Sequence, residues 1–179
     1  MSYPYRITVS SPLGDIVVQG TQTHIQYLKF VLPEVDKETD SLQLPDWDNS
    51  CRKQLDQYFL GEHLLKKGFE FSLPIDPQGT EFQQRVWQAL GDVKHGVFAS
   101  YQQLALNIGN SNSVRAVASA NARNPIWLII PCHRIIGRDN TLRGYAGGIE
   151  RKAKLLQLEN HQLDLTRSVM INEKTKILS

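Results

Sequence analysis

No apolar run in the sequence approaches the roughly 18 residues that a membrane-spanning helix needs; the best stretch is Ile126 to Ile130. Two cysteines, Cys51 and Cys132, are too few for a disulfide scaffold. No Cys-x-x-Cys or His-x-x-x-His spacing suggests a metal centre. Internal repeats and low-complexity tracts are missing. The first residues, Met-Ser-Tyr-Pro-Tyr-Arg, lack the basic and then apolar pattern of an export signal. Together these absences predict a cytoplasmic chain with reduced thiols.

What is present is 179 residues, 41% hydrophobic and 21% charged, with 12 Gly and 8 Pro, enough for one compact domain or two small ones. The formal net charge is only +2, but it is unevenly spread. Residues 1–79 carry 7 Lys/Arg against 11 Asp/Glu, whereas residues 80–159 carry 10 against 5. An acidic half followed by a basic half suggests that only the second faces a polyanion.

The first third reads as β. Tyr5-Arg-Ile-Thr-Val-Ser alternates in polarity, Pro12-Leu-Gly-Asp signals a turn, and Ile16-Val-Val and Ile25 to Leu32 continue as strands. Pro33 to Asp48 suits a loop. A helix follows with Cys51, Leu55, Tyr58 and Phe59 on one face and Gly61 at its end. Phe69-Glu-Phe-Ser-Leu reads as a further strand, and Pro74 to Gly79 as a linker. Cys51, on an apolar stripe, reads as a core residue.

From residue 80 the pattern is helical. Thr80-Glu-Phe-Gln and Ser100-Tyr-Gln-Gln are capping boxes, and Val86, Leu90 and Val93 share one side of the first helix. A helix to about Ile108, a turn at Gly109-Asn-Ser-Asn and a helix over 113–121 form a helix-turn-helix pattern. Its second helix is slim, with Ala116, Ala118, Ser119, Ala120 and Ala122 between Arg115 and Arg123. It has few side chains of the kind that read base edges. Either it approaches a groove closely while reading little sequence, or its alanines serve tight packing.

Ile126-Trp-Leu-Ile-Ile-Pro-Cys-His-Arg reads as a buried strand delivering Cys132 beside His133 and Arg134. Nearby positive charge lowers a cysteine pKa and raises the thiolate fraction, so Cys132 is a candidate nucleophile. Neighbours on an extended chain point apart, so pairing of Cys132 with His133 calls for a bend or a bridging water. A helix from Ile149 to Asn160 places Lys152, Leu155, Leu156 and Glu159 on one face, where the carboxylate needs a partner that a histidine would supply. A helix-turn-helix regulator and a cysteine hydrolase are the rival readings of these features.

Pro131-Cys-His-Arg, set within Asn124-Pro-Ile-Trp-Leu-Ile-Ile and followed by Gly144-Tyr-Ala-Gly-Gly, resembles the O6-alkylguanine-DNA alkyltransferases. Gly79-Thr-Glu-Phe-Gln-Gln-Arg-Val-Trp, Ser100-Tyr-Gln-Gln-Leu-Ala and Val114-Arg-Ala-Val match that family in the same order, closely over residues 79–159. Upstream the resemblance is looser, through Ser11-Pro-Leu-Gly and Leu55-Asp-Gln-Tyr-Phe-Leu-Gly. It implies an α/β ribonuclease-H-like domain over residues 1–76 and a mostly α winged-helix domain over 77–160. Residues 161–179 would be an extension.

The implied activity is single-turnover repair of O6-alkylguanine, and of O4-alkylthymine, in double-stranded DNA. The base leaves the stack before it is repaired. By the resemblance Cys132 is the alkyl acceptor, His133 the water-linked base and Glu159 the carboxylate orienting it. Tyr101 rotates the nucleotide and donates to the base, Arg115 fills the vacated gap, and Asn124 braces the active-site turn. Tyr145 and Ala146 line the guanine pocket, and Ser100, Ala116 and Arg123 belong to the DNA-facing surface. Binding is expected in the minor groove, with little sequence preference, by a monomer without cofactor or structural zinc. Ala146, Trp127 and Arg143 depart from residues common in the family and bear on the size of adduct accepted.

Overall fold

The computed structural model describes residues 3–31, 39–61, 68–139 and 141–159. Alternation in the first third produces an antiparallel meander of β1 (Tyr5–Val9), β2 (Ile16–Gly20) and β3 (Ile25–Phe30). Its register sets Ile7 opposite Val18 and Val18 opposite Leu28, so that the apolar members share a face. Gly14, at φ 108°, closes the first hairpin in a conformation that other residues rarely adopt.

Helix α1 (Asp48–Phe59) buries Cys51, Leu55 and Tyr58, one stripe at helical spacing, in the same core as the sheet. The Trp47 indole donates to Thr21 O at 2.9 Å and ties the start of α1 to the β2–β3 turn. The strand expected over Phe69 to Leu73 is not formed: these residues run without ladder pairing, and only Ile75 makes a bridge, to Ile25. Phe69 and Phe71 instead stack around Tyr58, which explains the alternating aromatic pattern.

The second half is mostly helical: α2 (Glu81–Gly91), α3 (Tyr101–Asn107), α4 (Val114–Ala122) and α5 (Ile149–Glu159). Both expected capping boxes are present, at Thr80 with Gln83 and at Ser100 with Gln103. Each satisfies two backbone donors at a helix start. The Trp87 indole donates to Ala120 O at 2.9 Å, fixing α4 on α2. Two-residue strands β4 (Ala99–Ser100) and β5 (Ile135–Ile136) pair in parallel.

Residues 126–130 are not the strand that their apolarity suggested. Ile126 bridges Leu28, and the chain then turns: Ile129 N donates to Trp127 O at 2.8 Å and Ile130 N to Ile126 O at 3.0 Å. Leu128 holds φ 68°, an uncommon value for a bulky residue, which its burial compensates. The apolar character of this segment reflects depth, not strand pairing. Among the described residues no helix is long and apolar enough to cross a membrane.

Candidate active site

The edge of β3 holds the segment that carries the cysteine. Leu28 N donates to Pro125 O at 2.9 Å, and Trp127 N donates to Leu28 O at 2.7 Å. Inside the turn, Asn124 spans the loop: its Oδ1 accepts from Ile126 N at 2.9 Å and its Nδ2 donates to Ile130 O at 2.7 Å. Asn124 is fully buried, so these bonds fix the turn that Pro131 then leaves. Cys132 opens a short 3-10 helix, Cys132–Arg134, so the chain bends here and does not run on as an extended strand.

Glu159 projects from α5 into the core and gathers this segment. Its Oε1 accepts from His133 Nε2 and Tyr58 Oη, each at 2.8 Å, and from Arg134 Nη2 at 3.0 Å. Its Oε2 accepts from Arg134 Nε at 2.7 Å. The expected histidine partner is present, accompanied by an arginine and a tyrosine. Burial alone would raise the Glu159 carboxyl; His133 and Arg134 outweigh it and hold the group well below the usual carboxylate range. An ionised carboxylate only accepts, so Nε2 of neutral His133 carries the ring proton and Nδ1 keeps a lone pair. That Nδ1 is buried and has no hydrogen-bond partner among the described residues.

The electrostatics of Cys132 correct the sequence expectation. Its thiol is pushed up to about 11, because burial outweighs a hydrogen bond from Asn124 and the charges of Lys152 and Lys29. Arg134, two residues further along the sequence, is directed into Glu159. The cations that favour the thiolate come from elsewhere. Lys152 Nζ is buried and donates to Ile135 O and Arg143 O, the latter at 2.9 Å; burial brings its pKa down to about 8. Lys29 on β3 lies over the Trp127 ring at 5.4 Å. Lys29, Tyr58 and the partner role of Arg134 were not found from sequence, since no local pattern marks contacts made across the whole chain. Cys51, by contrast, is buried with its thiol raised to about 12, as suits a core residue.

Around the thiol stand two tyrosines. Tyr101, the first residue of α3, is positioned by the Ser100 cap and the β4–β5 pair. Burial raises its hydroxyl pKa, and the charge of Cys132 adds to the effect. Tyr145 stacks on Trp127 with ring centroids 5.2 Å apart, and its hydroxyl is buried without a partner among the described residues. Gly147 makes that packing possible: a Cβ there would lie 2.6 Å from the Tyr145 ring. Ala146 is exposed beside it. Arg115 and Ala116 are exposed on α4, and Arg123, also exposed, bonds Ser119 at the end of that helix.

Two family profiles match in sequence order. Residues 5–77 match the ribonuclease-like domain of 6-O-methylguanine DNA methyltransferase, and residues 81–161 match its DNA-binding domain. The chain belongs to the 6-O-methylguanine DNA methyltransferase family. It is 37% identical to the methylated-DNA–protein-cysteine methyltransferase of Methanosarcina barkeri, over 89% of this chain and 99% of the relative. With that of Mycobacterium leprae it shares 39% identity, over 87% and 92%. The fold is similar to the crystal structure of Mycobacterium tuberculosis O6-methylguanine methyltransferase, with 38% identity, a TM-score of 0.74 and coverage of 90% and 97%. A structure of the same M. tuberculosis protein in complex with DNA matches with a TM-score of 0.72 and 38% identity, over 86% and 91%. The family's reaction is direct reversal of alkylation damage in DNA by transfer of the alkyl group to a protein cysteine.

Proposed function

We propose that Cys132 is the acceptor and that His133, ordered by Glu159, removes its proton. The carrying observation is the chain Tyr58 and Arg134 to Glu159 to His133, which leaves only Nδ1 of the imidazole free to take a proton. A thiol raised to about 11 is protonated at neutral pH, so it needs a base at the moment of attack. His133 Nδ1 takes the proton, directly or through one water. Sγ attacks the alkyl carbon in line, the bond from that carbon to guanine O6 breaks, and the proton taken up by His133 passes through water to the leaving base, to which Tyr101 donates a hydrogen bond. Lys152 and Lys29 stabilise the sulfur as it becomes negative. The product is a thioether, which does not hydrolyse, so each molecule acts once.

Asn124 braces the turn beneath the sulfur, and Tyr145 with Ala146 lines the pocket for the extruded guanine. The exposed face of α4, carrying Arg115, Ala116 and Arg123, with Ser100 at the start of α3, lies on duplex DNA in the minor groove. Arg115 occupies the gap left by the flipped base. The slim alanine face supports close approach with little sequence preference. Residues 1–76 and 77–160 act as a scaffold domain and a DNA-binding, transferring domain of a cytoplasmic monomer without cofactor.

Replacement tests the assignment. Cys132→Ser is expected to lose transfer while binding duplex DNA within a few-fold of the unsubstituted protein, since phosphate contacts and the reacting sulfur are separate. Residual alkyl acceptance by the variant contradicts the role of Cys132.

A further inference from the structure

A second histidine faces the same carboxylate. His95 lies in the turn after α2, with Nδ1 4.0 Å from Glu159 Oε1, the oxygen already engaged by His133 and Tyr58. Its side chain is 3% exposed, and neither ring nitrogen has a hydrogen-bond partner among the described residues. Tyr58 meets the ring edge-on at 6.2 Å. A cavity of about 120 Å³, bounded by His95, Arg134, Phe71, Leu128 and the Lys94–Glu70 ion pair, lies beside the imidazole. A phenyl ring would fill this aromatic corner without leaving two buried nitrogens unsatisfied. Packing therefore does not account for the residue.

The groups facing His95 are Glu159 from α5, His133 and Arg134 from the 3-10 helix, Tyr58 from α1, and Lys94 with Glu70 at the cavity. Glu159 and Arg134 already balance in charge. One further proton on the cluster turns it cationic, and a second meets repulsion from the first. The two imidazoles therefore share one carboxylate and compete for one proton.

We infer that His95 is a positioning residue that competes with His133 for the proton supported by Glu159 and thereby sets the lower pH limit of alkyl transfer. This rests on His133 being the base for Cys132. With His95 neutral, His133 accepts the thiol proton next to a carboxylate that supports no other imidazolium. With His95 protonated, the same transfer places a second cation on the cluster, and the reaction slows. Burial keeps both imidazoles below the ordinary histidine value, so both are neutral at neutral pH. His133 is fully enclosed while His95 borders the cavity, so His95 takes the first proton at least as readily.

The test is the rate of benzyl transfer from free O6-benzylguanine across the acid range, for the unsubstituted protein, His95→Gln and His95→Phe. Each profile is scaled to its own plateau, and the benzylated residue is mapped in every sample. Both variants are expected to keep activity to lower pH, with the midpoint of acid loss moved down by at least about 0.3 pH unit. That is the statistical effect of removing one of two sites competing for a proton. Unmoved midpoints, or a uniform loss at every pH, overturn the inference while leaving Cys132 and His133 in place. Benzyl on a residue other than Cys132 overturns the underlying site assignment as well. Histidine ring resonances of the unsubstituted protein supply a check that needs no variant: the signals of His95 and His133 should titrate together, and independent titration contradicts the coupling.

Discussion

Glu159 carries more of the site than any other side chain, because a single buried carboxylate holds one residue of α1 and two of the 3-10 helix. Removing its charge leaves Arg134 buried without a counter-ion. Glu159→Gln is therefore expected to cost about 3–5 kcal/mol of stability at neutral pH, the range for breaking a buried ion pair from one side. The pH dependence follows from the direction of its shift. The folded carboxyl is held below its unfolded value of about 4.3. Its contribution is complete above that value and is lost as the pH falls toward the folded pKa. Urea midpoints measured from neutral to acid pH should show this acid loss in the unsubstituted protein and a smaller one in Glu159→Gln. Equal midpoints for the two proteins at neutral pH would remove Glu159 from its structural role. The environment of Cys132 teaches a related lesson about adjacency. Arg134 stands two residues away yet serves Glu159, and the cations acting on the sulfur are Lys152 and Lys29.

Among the elements, those specified by short-range chemistry were legible in the sequence. The capping boxes at Thr80 and Ser100 need only four residues each, and the buried stripes of α1, α2 and α5 need only helical spacing. Phe69 to Leu73 and Ile126 to Ile130 were misread because strand pairing depends on partners far along the chain. Aromatic stacking claims the first segment. The edge of β3 together with Asn124 folds the second into a turn. Helix α4 was legible in extent, and its exposed Arg115 supports a specific expectation. Flipping a base costs a few kcal/mol, and a side chain in the vacated stack opposes its return. Arg115→Ala should slow repair of O6-methylguanine in duplex DNA far more than dealkylation of free O6-benzylguanine, which needs no wedge. Equal slowing of both reactions would place Arg115 in support of the active site. A change confined to the salt dependence of binding would make it a phosphate contact.

For the whole molecule, the two halves are joined at the chemistry itself. The acidic half, residues 1–79, supplies β3, whose edge holds Pro125 and Trp127, and Tyr58, which bonds Glu159. The basic half supplies α4 with its exposed Arg115, and the 3-10 helix with Cys132 and His133. The change of charge visible in the sequence falls between the two matched domains, whereas the effect of Lys29 on the thiol and the bond from Tyr58 to Glu159 appear only in three dimensions. The central claim is that one sulfur receives one alkyl group and keeps it. Protein incubated with an excess of duplex DNA carrying labelled O6-methylguanine, then weighed intact and mapped by peptide, should hold one methyl group per molecule, on the peptide containing Cys132. Label on Cys51, or more than one equivalent of guanine restored per protein, would contradict it.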